Sequence, residues 1–436
     1  MGRQLPITNY QLPMNIQDKT QSQKQGCPFH HLDTQYQPFV NPQLSDPYSF
    51  YELARNQEPI FYSSVLNGYV VTRYNDILAI LKDPVKFSSK DNLQPIGEYS
   101  LETVEVLRRG FPFVSDLVNS DGDRHKFLKE PLMKVFVPGR IKAMENSIYT
   151  IANRLVDNFI HDGKVDILEK FAFPMPLEVI LNLYGVPLER MTDIKIWCND
   201  MAELFSAPLT PERQVECARS FVALQYMVAD LIEQRRKAPQ DDLISNIQDS
   251  DLTMPDMVMV LCGLIFAGHK TTSHLMGNAL KVLLEKPKLW QTVCENPSII
   301  PGVVEEALRY DAPVPAVNRT TTGTVEIGGM ILPKDSKLFL IYGSANRDDI
   351  QYENAQEFDI ERFQQTTSNH LAFGHGIHRC IGSKLALTEA RIALEVLSSR
   401  LPNLRLQPNQ QFNYIPTLRS RGCTNLHLEW DLSVIS

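Results

Sequence analysis

Of the seven cysteines in this 436-residue chain, one is set apart by its neighbours. In HLAFGHGIHRCIGSKLALTEARIAL, the glycines Gly374, Gly376 and Gly382 crowd around Cys380. Glycine at that density marks backbone in unusual φ/ψ regions, or backbone that must approach another group closely. A helical pattern follows at once, with Leu385, Ala386, Ala390, Ile392 and Ala393 on its apolar side. A cysteine beside a helix N-terminus is favoured as thiolate, because free N–H groups and the helix dipole stabilise the anion. A buried structural cysteine next to a tight turn is the plainer alternative. It suffices for Cys27, Cys198, Cys217, Cys262, Cys294 and Cys423, which are scattered and form no CxxC pair. Two further stretches carry chemistry. In LIFAGHKTTSHL an apolar helical run is interrupted by Gly268, Lys270, Thr271 and Thr272, which cost stability inside a buried helix. In EEALRY, Glu306 and Arg309 stand at i, i+3 and meet on a helix face.

The elements around these residues are mostly helical. Between about 120 and 310 the sequence follows helical periodicity, as in SIYTIANRLVDNFI, with Pro and Gly breaks between segments. Tyr69–Thr72 reads as a strand leading into a helix from Asn75, closed by Asp83-Pro84. TVEIGGMILPKDSKLFLIYG reads as short strands around Gly328-Gly329, and the tail FNYIPTLRSRGCTNLHLEW as strands again. The expected fold is mainly α with a small β part, as one domain over 41–436 behind a loosely held N-terminal arm over 1–40. Composition, 43% hydrophobic and 22% charged, excludes wholesale disorder. A net charge of −8 argues against a nucleic-acid binder. An odd, dispersed set of cysteines reads as reduced thiols. No signal peptide or membrane span is legible, so a soluble cytoplasmic protein is expected. CPFHH at Cys27–His31 reads as a loop and not as a zinc site, since no second ligand pair lies nearby. No GxGxxG lies between a strand and a helix, so no flavin or nicotinamide module is expected.

FGHGIHRCIG matches FGxGxHxCxG, the ligand loop of the cytochrome P-450 family, at Phe373, Gly374, Gly376, His378, Cys380 and Gly382. The chain therefore resembles a bacterial-type, soluble haem-thiolate monooxygenase, and the resemblance covers most of it. It implies a haem b held by the Cys380 thiolate, which donates electron density to iron. It implies that Glu306 and Arg309 form the family's buried ExxR pair, joined by Arg362 from FDIERF. Arg319 and His378 would hold the haem propionates. DGDRHKFLKE is similar to the family's HxxxR helix, with His125 matching and Lys129 where arginine is usual; a lysine meets a propionate as a point charge and not as a fork. FAGHKTTSHL resembles the distal-helix pattern [AG]Gx[DE]T[TS]. On that pattern Ala267 and Gly268 leave room beside the macrocycle, and Thr271, followed by Thr272, relays a proton toward the oxygen-binding position. The alternative for Thr271 is a bond back to a carbonyl one turn earlier. Lys270 departs from the usual acid and is the fourth residue of this catalytic set. Another group or a water chain relays protons, or the lysine is purely structural, or the chemistry ends other than in oxygen insertion.

The resemblance places the pocket roof in the segment 88–118, with Phe111, Phe113 and Val114 as contacts. Pro315, Ala316, Val317, Thr417 and Leu418 complete walls suited to a hydrophobic or aromatic small molecule. No anchor for a carboxylate stands out, Arg108 and Arg109 being the possible ones. Electrons would come from a separate ferredoxin, with its reductase, or a flavodoxin. Arg124, Lys126, Lys129, Arg379 and Lys384 gather positive charge near the cysteine loop for such an acidic partner, and ordinary solvated surface charge is the alternative. The expected reaction is monooxygenation by a monomer in secondary metabolism. The alternatives are oxidative C–C or C–N coupling or cyclisation of a phenol or indole precursor, a peroxygenase, and a non-catalytic haem sensor.

Overall fold

The computed structural model describes residues 32–93, 98–206, 209–365 and 369–432. The helices are α1 Tyr48–Gln57, α2 Tyr74–Lys82, α3 Leu101–Leu107, α4 Gly122–Met133, α5 Pro138–Asp157, α6 Pro174–Tyr184, α7 Met191–Ser206, α8 Pro211–Lys237, α9 Leu243–Ile247, α10 Met254–Glu285, α11 Pro287–Glu295, α12 Ile300–Tyr310, α13 Tyr342–Ala345 and α14 Ser383–Arg400. The strands are β1 Ile60–Ser63, β2 Gly68–Val71, β3 Phe87–Ser88, β4 Lys164–Asp166, β5 Ala316–Thr321, β6 Val325–Ile327, β7 Met330–Leu332, β8 Lys337–Ile341, β9 Arg405–Leu406 and β10 His427–Glu429. The mainly α architecture with a small β part is thus present. Five strands form one sheet in the order β1-β2-β8-β5-β3, with β2 and β8 parallel.

The centre of the molecule is α10. Thr253 and Asp256 cap it reciprocally, each side chain taking the other's backbone N–H. On either side of the polar run His269–His274 it is apolar nearly all round, so it is stable only when enclosed. It packs against α6, α8, α12 and α14. Its own residues divide between two buried clusters, Leu275–Leu284 with α5, α12 and α14, and Met257–Ile265 with α6, α7 and α8. The break between α10 and α11 falls at Lys286-Pro287, where proline ends the i→i−4 ladder.

Two expectations change. The arm expected over 1–40 is packed by Leu32: Leu32 and Tyr36 are fully buried, and the Tyr36 ring stacks on Phe50 at 5.0 Å and meets Phe61 edge-on at 5.5 Å. Cys27–His31 lie outside the described residues. The tail expected as strands supplies only β10, which pairs with β4 and β9, and an isolated bridge between Tyr414 and Cys423. The rest of that stretch is held by side chains: Arg421 donates to Asp311 at 2.6 Å and to the carbonyls of Leu44 and Ser45.

Candidate active site

The cysteine loop is shaped by its glycines. Gly374 and Gly376 both have positive φ, +67° and +69°, and a Cβ on Gly376 would stand 2.6 Å from the Leu81 carbonyl oxygen. The Gly374 N–H donates to Leu371 and the Cys380 N–H donates to Phe373 at 2.9 Å, which folds the loop back on itself. Gly382 caps α14, so Cys380 stands two residues before the cap. Cys380 is exposed although protein packs densely around its sulfur, the situation of a thiol on a concave wall. Burial raises the thiol's pKa, while the Gly382 N–H and the charges of Lys129 and Arg379 favour the anion.

Cations and imidazoles gather beside the loop. The His125 and His378 rings lie 4.3 Å apart between centroids. Burial first, and then the Arg319 charge, drop His378 to about 4; burial also lowers His125. Arg319, on β5, is buried, and its Nη1 donates to its neighbour's carbonyl, that of Asn318, at 2.7 Å. Asp121, which the sequence reading missed, accepts from Ser88 Oγ, the Ser89 N–H and His378. Tyr342, also missed, is buried between Arg319 and Gly374. Lys129 does not stand with this group as a free cation: its Nζ donates to the Ile377 carbonyl inside the cysteine loop.

Beneath the loop, Arg309 and Glu306 form a bidentate pair with both distances 2.7 Å, both fully buried. Arg362 Nε adds a contact to Glu306 at 3.2 Å. The remaining Arg309 donors meet the carbonyls of Asn346, Ala355 and Glu357. Each charge is therefore answered, which a buried pair requires. The expected charged triad is present as geometry.

Above the loop, α10 is buried except for one stripe. Gly263, Leu264, Phe266, Ala267, Gly268, Lys270 and Thr271 all retain accessible surface in the middle of the helix, Ala267 most. A half-exposed stripe halfway along an enclosed helix is the wall of an internal space. Ile381, next to the cysteine, borders the same large buried cluster as Leu264 and Phe266. Thr271 Oγ1 donates to the Ala267 carbonyl at 2.9 Å, Thr272 to Gly268 at 3.2 Å and Ser273 to His269 at 2.8 Å. With its proton on Ala267, the Thr271 oxygen keeps both lone pairs for accepting. Thr272 is buried and turned off the stripe. Gly268 is on this stripe and also meets a neighbouring helix. The helix runs unbroken through it, and a Cβ there would meet Ile180 on α6 at 3.2 Å. Its smallness thus also serves helix packing. Lys270 is half-buried, its pKa lowered by burial, and feels the charge of Glu203 on α7.

The expected pocket residues divide. Phe113 packs with Phe205 and Phe221 at 6.2 and 5.6 Å, joining the segment before α4 to α7 and α8. Phe111 lies edge-on to Tyr226 at 5.9 Å, and with Val114 it borders the same cluster as Leu264. Val317 and Arg319 share one face of β5. Ala316 is on the other, buried against Phe339, so it leaves the expected wall. Pro315, Thr417 and Leu418 line a small crevice with Tyr51 and Arg421. Arg108 and Arg109 are exposed.

A haem fits this donor set. The glycine loop presents an accessible thiol, and Arg319, His125 and His378 can answer two carboxylates. Comparison with known proteins points the same way. The profile of the Cytochrome P450 family matches residues 49–421. Cytochrome P450 107B1 of Saccharopolyspora erythraea is 34% identical over 361 residues, covering 80% of this chain and 86% of that protein. The 6-deoxyerythronolide B hydroxylase of the same organism is 33% identical, covering 78% and 84%. The structure of an intact type IV self-sufficient cytochrome P450 monooxygenase superposes with a TM-score of 0.90 at 32% identity, covering 96% of this chain. This chain spans only 55% of that longer one. A thiolate loop, an ExxR pair and a distal helix matched over that much sequence and fold place the chain in the cytochrome P450 family, whose members are haem-thiolate monooxygenases.

Proposed function

We propose that this protein inserts one oxygen atom into a hydrophobic small molecule, R–H + O2 + 2 electrons + 2 H⁺ giving R–OH and water. The observation that carries this reading is the accessible stripe of α10, which holds Thr271 and whose Leu264 and Phe266 border the same cluster as Ile381, the residue after Cys380. A bound haem b supplies dioxygen activation at its iron. Cys380 would hold the iron; the Gly382 N–H bonds its sulfur, and the Phe373 carbonyl accepts from its backbone N–H. Arg319, His125 and His378 anchor the haem carboxylates. Lys129 pins the loop through the Ile377 carbonyl. Thr271 Oγ1, its hydrogen donated to the Ala267 carbonyl, accepts a hydrogen bond at the oxygen-binding position and so holds a proton donor there. Phe111, Phe113, Val114, Phe266 and Val317 exclude water around the substrate.

Electrons come from a separate ferredoxin- or flavodoxin-type protein docking over the cysteine loop. Lys126, Arg379 and Lys384 are exposed there. Arg124 is committed elsewhere, to Asp256 at 2.5 Å, and positions α10 against α4. Oxidation of a natural-product precursor is the context suggested by the macrolide hydroxylase among the relatives. A second reading, oxidative coupling or cyclisation of an aromatic precursor, is favoured by Lys270, which stands where a proton-relaying acid is usual.

Turnover under ¹⁸O2, with a surrogate ferredoxin system and a panel of aromatic, terpenoid and polyketide compounds, tests the reading. One labelled oxygen atom in the product supports insertion. Unlabelled, coupled product overturns it in favour of the second reading. Faster turnover with hydrogen peroxide alone makes the protein a peroxygenase.

A further inference from the structure

The wall that α10 presents to the internal space carries a single charge. About 100° per residue puts Lys270 roughly 60° to one side of Ala267 and Thr271 roughly 40° to the other. The three therefore share the accessible stripe. Among the described residues Lys270 has neither a hydrogen bond nor an ion-pair partner. The acid nearest in influence, Glu203 on α7, is already held by Arg213 at 2.9 Å. Two imidazoles on the same helix, His269 and His274, are buried beyond it and offer no negative charge. Leu264 and Phe266, on the same helix and stripe, border one apolar cluster together with Phe111, Val114 and Phe205.

An ammonium taken out of water without a counter-charge is unfavourable, and a bound anion removes that cost. A lysine is a compact point charge with three donors and suits one carboxylate; a dianionic phosphate monoester calls for a second cation, and the stripe has none. An aspartate or glutamate at 270 would repel the same ligand, which gives the departure from the family's pattern a physical reason. Apolar walls with one convergent charged group orient a ligand by its polar end.

We propose that Lys270 anchors the substrate, and that the substrate is an apolar molecule bearing one carboxylate. The carboxylate lies at the roof between α10 and α7, and the apolar body reaches down toward Cys380. This rests on the monooxygenase reading of the site.

The test uses the full-length, haem-loaded protein and the low-to-high-spin absorption change on binding. Ligands are straight-chain acids of eight to sixteen carbons, aryl-substituted short-chain acids, the methyl ester of each, and the matching alkyl phosphates. The proposal predicts acids bound at least tenfold tighter than their esters. It also predicts that Lys270→Gln weakens acids at least tenfold, leaves esters within twofold, and is rescued by Lys270→Arg. Esters bound as tightly as acids, no acid bound at all, or an acid preference that survives Lys270→Gln overturns it. Phosphates bound tighter than acids through Lys270 overturn the carboxylate assignment. A ferrous–CO spectrum of each variant separates the two failures. An intact thiolate band with no acid preference sinks only the anchor; a missing band sinks the monooxygenase reading beneath it.

Discussion

Position 129 shows how far a residue type predicts a contact. The lysine there matches a place where a propionate-binding arginine is usual, yet its ammonium reaches the Ile377 carbonyl and lends its charge to Cys380. Lys129→Met should therefore loosen the loop and weaken the thiolate. A charge-assisted hydrogen bond is worth about 1.5–3 kcal/mol, so haem transfer to apomyoglobin should quicken by roughly tenfold or more. An unchanged transfer rate would return Lys129 to the surface. Thr271 and Thr272 separate in the same way, since only Thr271 is on the accessible stripe. Thr271→Ala should cut product formed per NAD(P)H oxidised by about tenfold or more, a part of what positioned proton transfer contributes. Thr272→Ala should leave that coupling within twofold. The sequence identified both threonines but not their directions, because each bonds one turn back and only the packing of α10 decides which one faces the site.

At the scale of elements, glycines with similar surroundings in sequence have different work. Gly376 has positive φ and no room for a Cβ, so Gly376→Ala should destabilise the holoprotein by at least about 1–3 kcal/mol. Gly268 is ordinary helix with Ile180 close by. There the roughly 1 kcal/mol that alanine gains in a helix opposes a tight contact with a movable methyl, and Gly268→Ala should stay within about 1 kcal/mol of wild type by urea unfolding. The helix α10 also carries a pH dependence. Burial lowers His269 to about 4 and His274 to about 3, and among the described residues His274 Nδ1 has no hydrogen-bond partner. Unfolded, both take protons near pH 6.5, so the unfolded state binds more protons below that pH and stability falls as pH falls. Each contributes a slope of up to about 1.4 kcal/mol per pH unit between 6.5 and its folded value. Urea midpoints from pH 7.5 to 4.5 should decline, and less steeply in His274→Leu. A parallel decline in both proteins would remove His274 from the account.

Across the whole molecule, what was legible was local, and what was missed joins distant parts of the chain. The loop at 373–382, the ExxR pair and the stretch at 264–275 carry their chemistry in consecutive residues. Asp311 receives Tyr48 Oη from 263 residues away and Arg421 from 110 away, and no periodicity marks such partners. The tail was over-read as strands for that reason: Arg421 ties it down through side-chain bonds where a ladder was expected. The ExxR pair also acts at this scale, linking α12 to the segment that leads into the cysteine loop through Arg362 and the Asp359 N–H. Breaking a buried pair costs about 3–5 kcal/mol, so Glu306→Gln should yield protein that fails to retain haem. For the partner face, Lys384→Glu should slow reduction by an acidic ferredoxin severalfold at low salt, with the difference vanishing as ionic strength rises.

The account turns on Cys380 as the iron's ligand, and the reduced, CO-bound absorption spectrum reads that bond directly. Wild-type protein should show the red-shifted thiolate band, and Cys380→Ser should lose it while remaining folded. A wild-type spectrum without the band in folded, haem-loaded protein, or a band that persists in Cys380→Ser, would contradict the account.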